Sequence, residues 1–418
     1  MQSESPGAEP KLKVWLTREG WIFLVILLFV SAGSLLRNIN LLMLMTGIMI
    51  APLFLSWRGS LMMLQQLLAK RSLPTQLFAG QSAQASWKVT NQRTALPTWS
   101  LTIHDQLRRA VDSPRDAAKV RTLIPKIAPG ETNYGTYQVY FPQRGKFLAG
   151  PARVTSRFPL GLVAAKFEIA EEEEILVAPA LGRLTASWDR RLISQVSGSE
   201  AIKRRRGAQD EEFFGLRQYR SGDSRRHIHW RATARNRQLM VKQFDSRSDR
   251  DFVIVLELWV TAGTSSPEQQ LAEQGLSFAT TVMSGLATVV RGKIAVGICG
   301  AETVVLCNLC TPQFISEVWN ELAVAEPSPV TELNEALDEI AGQISGGTPI
   351  YVLSTRPKPQ NLSAMFAASG NPHRIASLEP WVRWLEIGSA EFKELFVLPP
   401  SLDEAPTKAN QETADVHA

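Results

Sequence analysis

This chain has little of what covalent chemistry needs. Its 418 residues include only 3 cysteines and 5 histidines. Cys299, Cys307 and Cys310 are odd in number and close together, which excludes a disulfide framework and fits a reducing compartment. No Gly-rich phosphate loop, nucleophile elbow or HExxH helix occurs, so the local machinery of nucleotide, acyl-transfer and zinc-protease chemistry is missing. The expectation is a protein that is not an enzyme and carries no cofactor. A net charge of +5 is too small to require nucleic acid, because the cytoplasmic faces of membrane proteins also collect Lys and Arg. At this length more than one core is buried, and two or three domains are expected.

Long apolar runs are present, and they lie together. Trp21 to Leu36 and Leu41 to Trp57 are separated only by Arg37-Asn38-Ile39-Asn40. Each is near the lower limit for crossing a bilayer, so residues 21–57 read as a transmembrane helical hairpin behind an N-terminal segment, 1–20. Lys11, Lys13 and Arg18 precede the first run and Arg58, Lys70 and Arg71 follow the second. By the positive-inside tendency both termini and the folded domains face the cytoplasm from the inner (plasma) membrane.

From 73 to 180 the pattern shortens to alternation, as in Tyr134 to Phe141, punctuated by turns such as Pro129-Gly130-Glu131 and Gln143-Arg144-Gly145. This predicts an immunoglobulin-like β-sandwich. His104-Asp105 reads there as a surface polar pair at a strand end, and Glu171 to Glu174 as a solvated turn.

Residues 181–250 hold the densest mixture of charge and aromatics. Between Lys203 and Arg250 the basic side chains outnumber the acidic ones, interleaved with Phe213, Phe214, Tyr219, Trp230 and Phe244. Three readings follow. The segment binds phosphate backbones and bases; or Asp223, His227 and His229 hold a metal for a hydrolase or nuclease; or Glu211, Glu212 and Asp223 pair with the arginines over packed aromatics as a structural or partner-binding unit. The third is preferred, because Gly222-Asp223 reads as a turn placing its carboxylate near Arg and backbone donors. No specific nucleic acid is expected.

Beyond it, Asp251 to Leu256 reads as a strand buried on both faces and Pro267 to Val290 as an amphipathic helix. Strands at Lys293–Cys299, Thr303–Cys307 and Ile350–Leu353 alternate with helices at Phe314–Ala323 and Thr331–Ile344. A helix at Asn361–Ser369 and a strand at Arg374–Leu378 complete an α/β domain over 251–398 with a mostly parallel sheet. Residues 399–418 are polar and read as a disordered tail. The fold class is α+β multidomain. Cys307-Asn308-Leu309-Cys310 reads as buried thiols rather than a metal knuckle.

Glu212-Phe213, Leu216-Arg217, Tyr219, Gly222-Asp223, Arg226, Ile228, Trp230, Ala234-Arg235 and Leu239 resemble the signature of the family known as domain of unknown function fifty-eight. That resemblance implies a membrane anchor, a von Willebrand factor A-like domain and a MoxR-type AAA+ ATPase as partner. It also implies a scaffold or adaptor role in assembling or remodelling other proteins. Glu212, Arg217, Tyr219, Gly222, Asp223, Arg226, Trp230 and Arg235 then form an interdomain or partner-facing network. Metal-binding A-type domains carry an Asp-x-Ser-x-Ser run, a Thr and a later Asp. Here Glu257, Trp259, Thr261 and Thr331 stand at the first four positions and Ser354-Thr355 at the last, so a degenerate site without metal is expected.

Overall fold

The computed structural model describes residues 12–37, 39–112, 118–188, 212–220, 227–245, 251–261, 267–289, 292–344, 347–359 and 378–398. They form two compact units, Met1–Ala178 and Pro179–Ala418.

In the first unit, strand β1 (Lys13–Leu16) leads directly into helices α1 (Arg18–Arg37) and α2 (Asn40–Leu64). Strands β2 (Leu67–Ser72), β3 (Ser82–Asn91), β4 (Thr98–Arg109), β5 (Ala118–Ile127) and β6 (Thr132–Tyr140) follow. The unit closes with β7 (Gly145–Ala149), β8 (Ala152–Ser156), β9 (Val163–Ile169) and β10 (Glu173–Val177). β2-β3-β6 form a three-stranded sheet; the other strands form a seven-stranded one, with β5 on one edge of β4 and β7 and β8 on its other. Every pairing is antiparallel.

β1 pairs with β9. The apolar helices therefore lie in sequence between strands of the first unit, and Lys13–Leu16, within the N-terminal stretch 1–20, is one of those strands. Four residues, Lys-Val-Trp-Leu, are too few to show a period.

α1 and α2 are 20 and 25 residues long, about 30 and 38 Å at 1.5 Å per residue. Both are long and apolar enough to cross a membrane. Little of either is covered by protein, and Phe29 and Leu36 are 83% and 84% exposed. A core helix of a soluble domain would bury such a surface. α2 outlasts its apolar run because its last turns dock on the strands of the first unit, burying Ser56, Ser60, Met63 and Leu64.

The junction is close. Thr17 Oγ1 donates to the Gly161 carbonyl at 2.6 Å and accepts from Gly20 N at 3.0 Å. A Cβ on Gly20 would lie 2.0 Å from the Leu162 carbonyl oxygen, and one on Gly59 2.7 Å from Pro159 Cδ. The 157–162 loop thus rests on both helices through two glycines. Gly20→Ala is expected to expel this loop and raise tryptic cleavage at Arg157, whereas Gly33→Ala, with nothing within 4 Å, is expected to leave cleavage unchanged.

The two sheets meet at Asp105, which corrects the reading of a surface pair. Neighbouring residues of a strand face opposite ways: His104 is exposed and Asp105 is 2% exposed. Arg71 donates to both Asp105 oxygens at 2.9 and 2.7 Å, and Asp105 Oδ2 also accepts from Trp87 Nε1 at 3.1 Å and from the Tyr137 hydroxyl at 2.7 Å. Arg71 is therefore a core residue and not a charge flanking the helices. The glutamate run is not a free turn either. Glu172 pairs with Arg108, Glu173 with Arg71 and Glu174 with Lys146.

In the second unit, β11 (Arg183–Leu184) pairs with β19 (Phe396–Val397), and β12 (Glu212–Gln218) forms a hairpin with β13 (Met240–Asp245) around helix α3 (Trp230–Asn236). The main sheet uses β14 (Phe252–Glu257), β15 (Lys293–Cys299), β16 (Thr303–Leu309), β17 (Ile350–Ser354) and β18 (Val382–Glu386) in the order β16-β15-β14-β17-β18. Only β16 is antiparallel to its neighbour.

Alternation on β14 sends Phe252, Ile254 and Leu256 into one core layer with helices α4 (Pro267–Val289), α5 (Pro312–Val324) and α7 (Ala390–Leu395). Val253 and Val255 enter the other, with α6 (Leu333–Gln343). The helix expected at 361–369 and all but the last residue of the strand expected at 374–378 lie outside the described residues; Leu378 itself is in a turn. β18 follows instead, within a segment whose alternation of Val, Arg, Trp and Leu is too short to mark it beforehand.

Candidate functional site

Ligands of open α/β sheets bind at the carboxyl ends of strands where the strand order reverses. In this sheet the chain leaves β14 toward β15 on one side and later returns to β17 on the other, so the reversal falls between β14 and β17. Glu257 ends β14 and is directly opposite Ser354, which ends β17.

Glu257 is fully buried. Ser354 Oγ donates to Oε2 at 2.5 Å and Thr331 Oγ1 to Oε1 at 3.0 Å. The Arg356 guanidinium pairs with Oε1 and donates also to Thr331 Oγ1 at 3.3 Å. Arg356 lies over the Trp259 ring, 5.4 Å from its centroid. Trp259 Nε1 in turn donates to the Pro329 carbonyl at 3.0 Å. The Arg356 amide donates to Ser354 Oγ at 2.9 Å, and Trp384 Nε1 donates to the Arg356 carbonyl at 3.3 Å. Burial lowers the pKa of Arg356, but a guanidinium stays charged through any ordinary pH.

Of the positions compared with a metal-binding run, the structure brings Glu257, Thr331 and Ser354 together. Thr261 is directed elsewhere, its hydroxyl donating to Glu268 at 3.0 Å, and Trp259 offers an aromatic face in place of an oxygen. A divalent ion prefers a near-complete shell of oxygens. Here one carboxylate and two hydroxyls are already bonded to each other and to a guanidinium whose charge would repel a second cation. The residues do not fit a metal. Titration of the full chain with Mg²⁺ and Mn²⁺ is expected to give no saturable heat; micromolar binding abolished by Glu257→Ala would overturn this. Arg356 escaped sequence reading, although a basic residue two positions after a buried strand, where an acid was sought, was the available sign.

The family-like segment is a smaller assembly. Tyr219 N bonds to the Leu239 carbonyl at 2.8 Å and His229 N to the Met240 carbonyl at 2.8 Å. Glu212 is opposite Asp245 in the hairpin, and Arg217 opposite Val241. Arg217 Nη1 donates to the Gln218 carbonyl at 3.3 Å. His229 caps α3 by accepting from Ala232 N on Nδ1 at 3.1 Å, so that nitrogen is committed and no longer offered to a metal. His227 and His229 flank Ile228, which bridges to Val241. Trp230, expected beneath the arginines, is 67% exposed, and Arg235 is exposed on the same short helix. Gly222, Asp223 and Arg226 lie outside the described residues, as do 203–211 and 246–250 of the basic stretch. Among the described residues, no three His, Cys, Asp or Glu side chains are grouped to hold a metal.

The cysteines are free. Cys307 packs in the α6 layer and Cys310 in the α4 layer, on opposite faces of the sheet. Burial pushes the Cys299 thiol up to about 12 from an ordinary value of 9.0, with Glu332 adding to it. The folded state therefore holds this proton where the unfolded chain loses it. Its contribution is whole below pH 9 and disappears as pH rises toward 12. Cys299→Ala is expected to flatten the alkaline fall of the urea midpoint across that interval.

The chain thus combines two apolar helices long enough to cross a membrane, antiparallel sheets in the same unit, and an α/β unit with an internal ion pair at the strand ends where its strand order reverses. Residues 215–368 match the family described as protein of unknown function DUF58. No curated protein matches the chain. Solved structures with partial likeness include a β-glucosidase from Listeria innocua, 14% identical over 27% of this chain and 16% of that chain, with a TM-score of 0.20. Another is the putative ApaA protein from Bordetella pertussis, 19% identical over 27% of this chain and 88% of that chain, with a TM-score of 0.16. A third is the sporulation control protein Spo0M from Bacillus subtilis, 14% identical over 37% and 58%, with a TM-score of 0.17. The chain spans 16% of the length of the β-glucosidase. At these TM-scores the likenesses bear on neither fold nor activity.

Proposed function

We propose that this chain is a membrane-anchored, non-catalytic scaffold or adaptor, with its folded units cytoplasmic, that works with a MoxR-type AAA+ ATPase in assembling or remodelling other proteins. The observation that carries the reading is the Glu257–Arg356 pair. The place where an α/β sheet would hold a reacting ligand is filled by the chain's own cation, with both hydroxyls committed. Such a site holds a shape and has no group left for turnover. The exposed apolar flanks of α1 and α2 support the anchor. Lys13, Arg18, Arg58 and Lys70 beside the helices support cytoplasmic orientation. The first unit reads as an immunoglobulin-like sandwich, and the second as a von Willebrand factor A-like domain with a guanidinium in the metal's place.

The test is affinity capture of the tagged full chain from solubilised membranes. A MoxR-type ATPase is expected in the eluate of the wild type and reduced with Trp230→Ala or Arg235→Ala, whose side chains are exposed and leave the fold intact. Absence of any AAA+ ATPase, with a hydrolytic activity in the purified chain, would overturn the reading. Topology is tested separately by a reporter fused after Leu68; activity only outside the cytoplasm would reverse it.

A further inference from the structure

The apolar runs are short for their task. Trp21 to Leu36 spans about 24 Å and Leu41 to Trp57 about 26 Å, against a hydrocarbon core about 30 Å thick. A short span is accommodated by thinning the bilayer and drawing the flanking groups toward it. What flanks this hairpin is the end of the sandwich where the 157–162 loop rests on Gly20 and Gly59.

That end has the composition of a membrane interface. Trp15 on β1, Trp57 on α2 and Trp99 at the start of β4 are exposed there, and Leu160 at the loop tip is 54% exposed. Contacts tie Trp99 and Trp15 to the loop and the strands beside it. Trp99 stacks on Phe158 with ring centroids 6.1 Å apart, and its amide lies 3.3 Å from Met63 Sδ near the end of α2. Trp15 is opposite Ala164 in the sheet. Lysines cover two of the rings, Lys126 at 4.7 Å from Trp99 and Lys166 at 5.8 Å from Trp15. Lys13, Arg18, Arg58 and Arg157 add positive charge, set against Glu19 and Glu168. Tryptophan with lysine or arginine is the pairing that favours the headgroup layer, where an amphipathic ring keeps one edge wet and cations meet phosphates.

We propose that this rim of the sandwich is a lipid-binding surface, immersed in the headgroup layer with Leu160 and Trp15 reaching toward the acyl boundary. The occupant is the bilayer itself, because the surface is continuous with two helices whose apolar flanks already need lipid. The inference rests on the membrane-anchor reading. It makes the sandwich a body held against the membrane at three places rather than one suspended on a flexible tether.

Single cysteines at Leu160, Phe29 and Val111 test it, in the full chain carrying Cys299→Ala, Cys307→Ser and Cys310→Ser. Each is nitroxide-labelled in nanodiscs of mixed neutral and anionic phospholipid. All three sites are exposed, and Val111, 91% exposed, follows the far end of β4 from Trp99. Collision with a water-soluble nickel chelate is expected to be several-fold lower at 160 than at 111, and lowest at 29, where oxygen collision is highest. Lipid-like behaviour at 29 with equal, water-like behaviour at 160 and 111 overturns this inference and leaves the anchor. Water-like behaviour at 29 overturns both.

Discussion

Asp105→Ala is expected to cost the first unit about 3–5 kcal/mol, the range for removing one partner of a buried ion pair. That is a large share of the roughly 5–15 kcal/mol that holds a domain folded. The size follows from what converges there. Arg71 comes from β2, Trp87 from β3 and Tyr137 from β6, so each strand of the three-stranded sheet sends one donor to a carboxylate of the other sheet. The Gln106 amide adds a bond at 2.9 Å. Alanine would take the acceptor from an indole N–H and a phenol, and would leave a guanidinium whose side chain is 6% exposed with the Ala149 carbonyl and the more exposed Glu173 carboxylate in place of its close bidentate partner. Asp105→Leu combined with Arg71→Met is expected to recover part of the loss, because a well-packed apolar pair replaces a buried charge pair at little cost. Pulse proteolysis in urea, scored on fragments of the first unit, measures both. A loss within about 0.5 kcal/mol for Asp105→Ala, the size of an ordinary surface change, would mean that the pair does not join the sheets.

Asp105 also marks where sequence reading stops. Alternation along β4 was visible, but polarity alone placed Asp105 at the surface, and only the register of three other strands gives it partners. Arg71 illustrates the same limit. Next to Lys70 and after an apolar run it reads as a flanking charge, yet strand alternation turns Arg71 inward and Lys70 outward. The helical pair was legible because an unbroken apolar run of that length is costly in water and at home only in lipid or a large core. β14 was legible too, since its six residues are all buried. β1 was not, because its pairing reaches across both helices to β9. In the α/β unit, Glu257, Thr331 and Ser354 were singled out by the family resemblance alone, and the structure brings the three side chains together. Arg356 was not, because the search was for oxygens and the structure supplies a cation. The two facts belong together: once a guanidinium holds the carboxylate, the remaining oxygens need not match a metal's geometry.

The second large effect is expected at that cation. Arg356→Ala would leave the fully buried Glu257 carboxylate, among the described residues, with the side-chain donors Thr331 and Ser354, both neutral hydroxyls. Losing the charged partner of a buried ion costs about 3–5 kcal/mol. The Arg356 side chain is 40% exposed and water screens part of the pair, so the expected value is the lower end, about 3 kcal/mol. Glu257→Gln with Arg356→Met removes both charges and is expected to be less destabilised than Arg356→Ala alone, since the amide still accepts from the hydroxyls and the thioether still covers Trp259. Arg356→Lys keeps the charge but not the planar group that bonds Glu257 and Thr331 while lying on an indole, and should fall between. Urea midpoints of the full chain, followed by proteolysis of fragments from the second unit, give the order. If Arg356→Ala matched wild type, the guanidinium would be an ornament on a carboxylate that the two hydroxyls already hold. If the charge-free double variant were as unstable as Arg356→Ala, the loss would lie in packing around Trp259 and not in an unpaired charge. The predicted order, with the double variant recovering, is the outcome that makes Arg356 the built-in counter-ion of the sheet's central crevice.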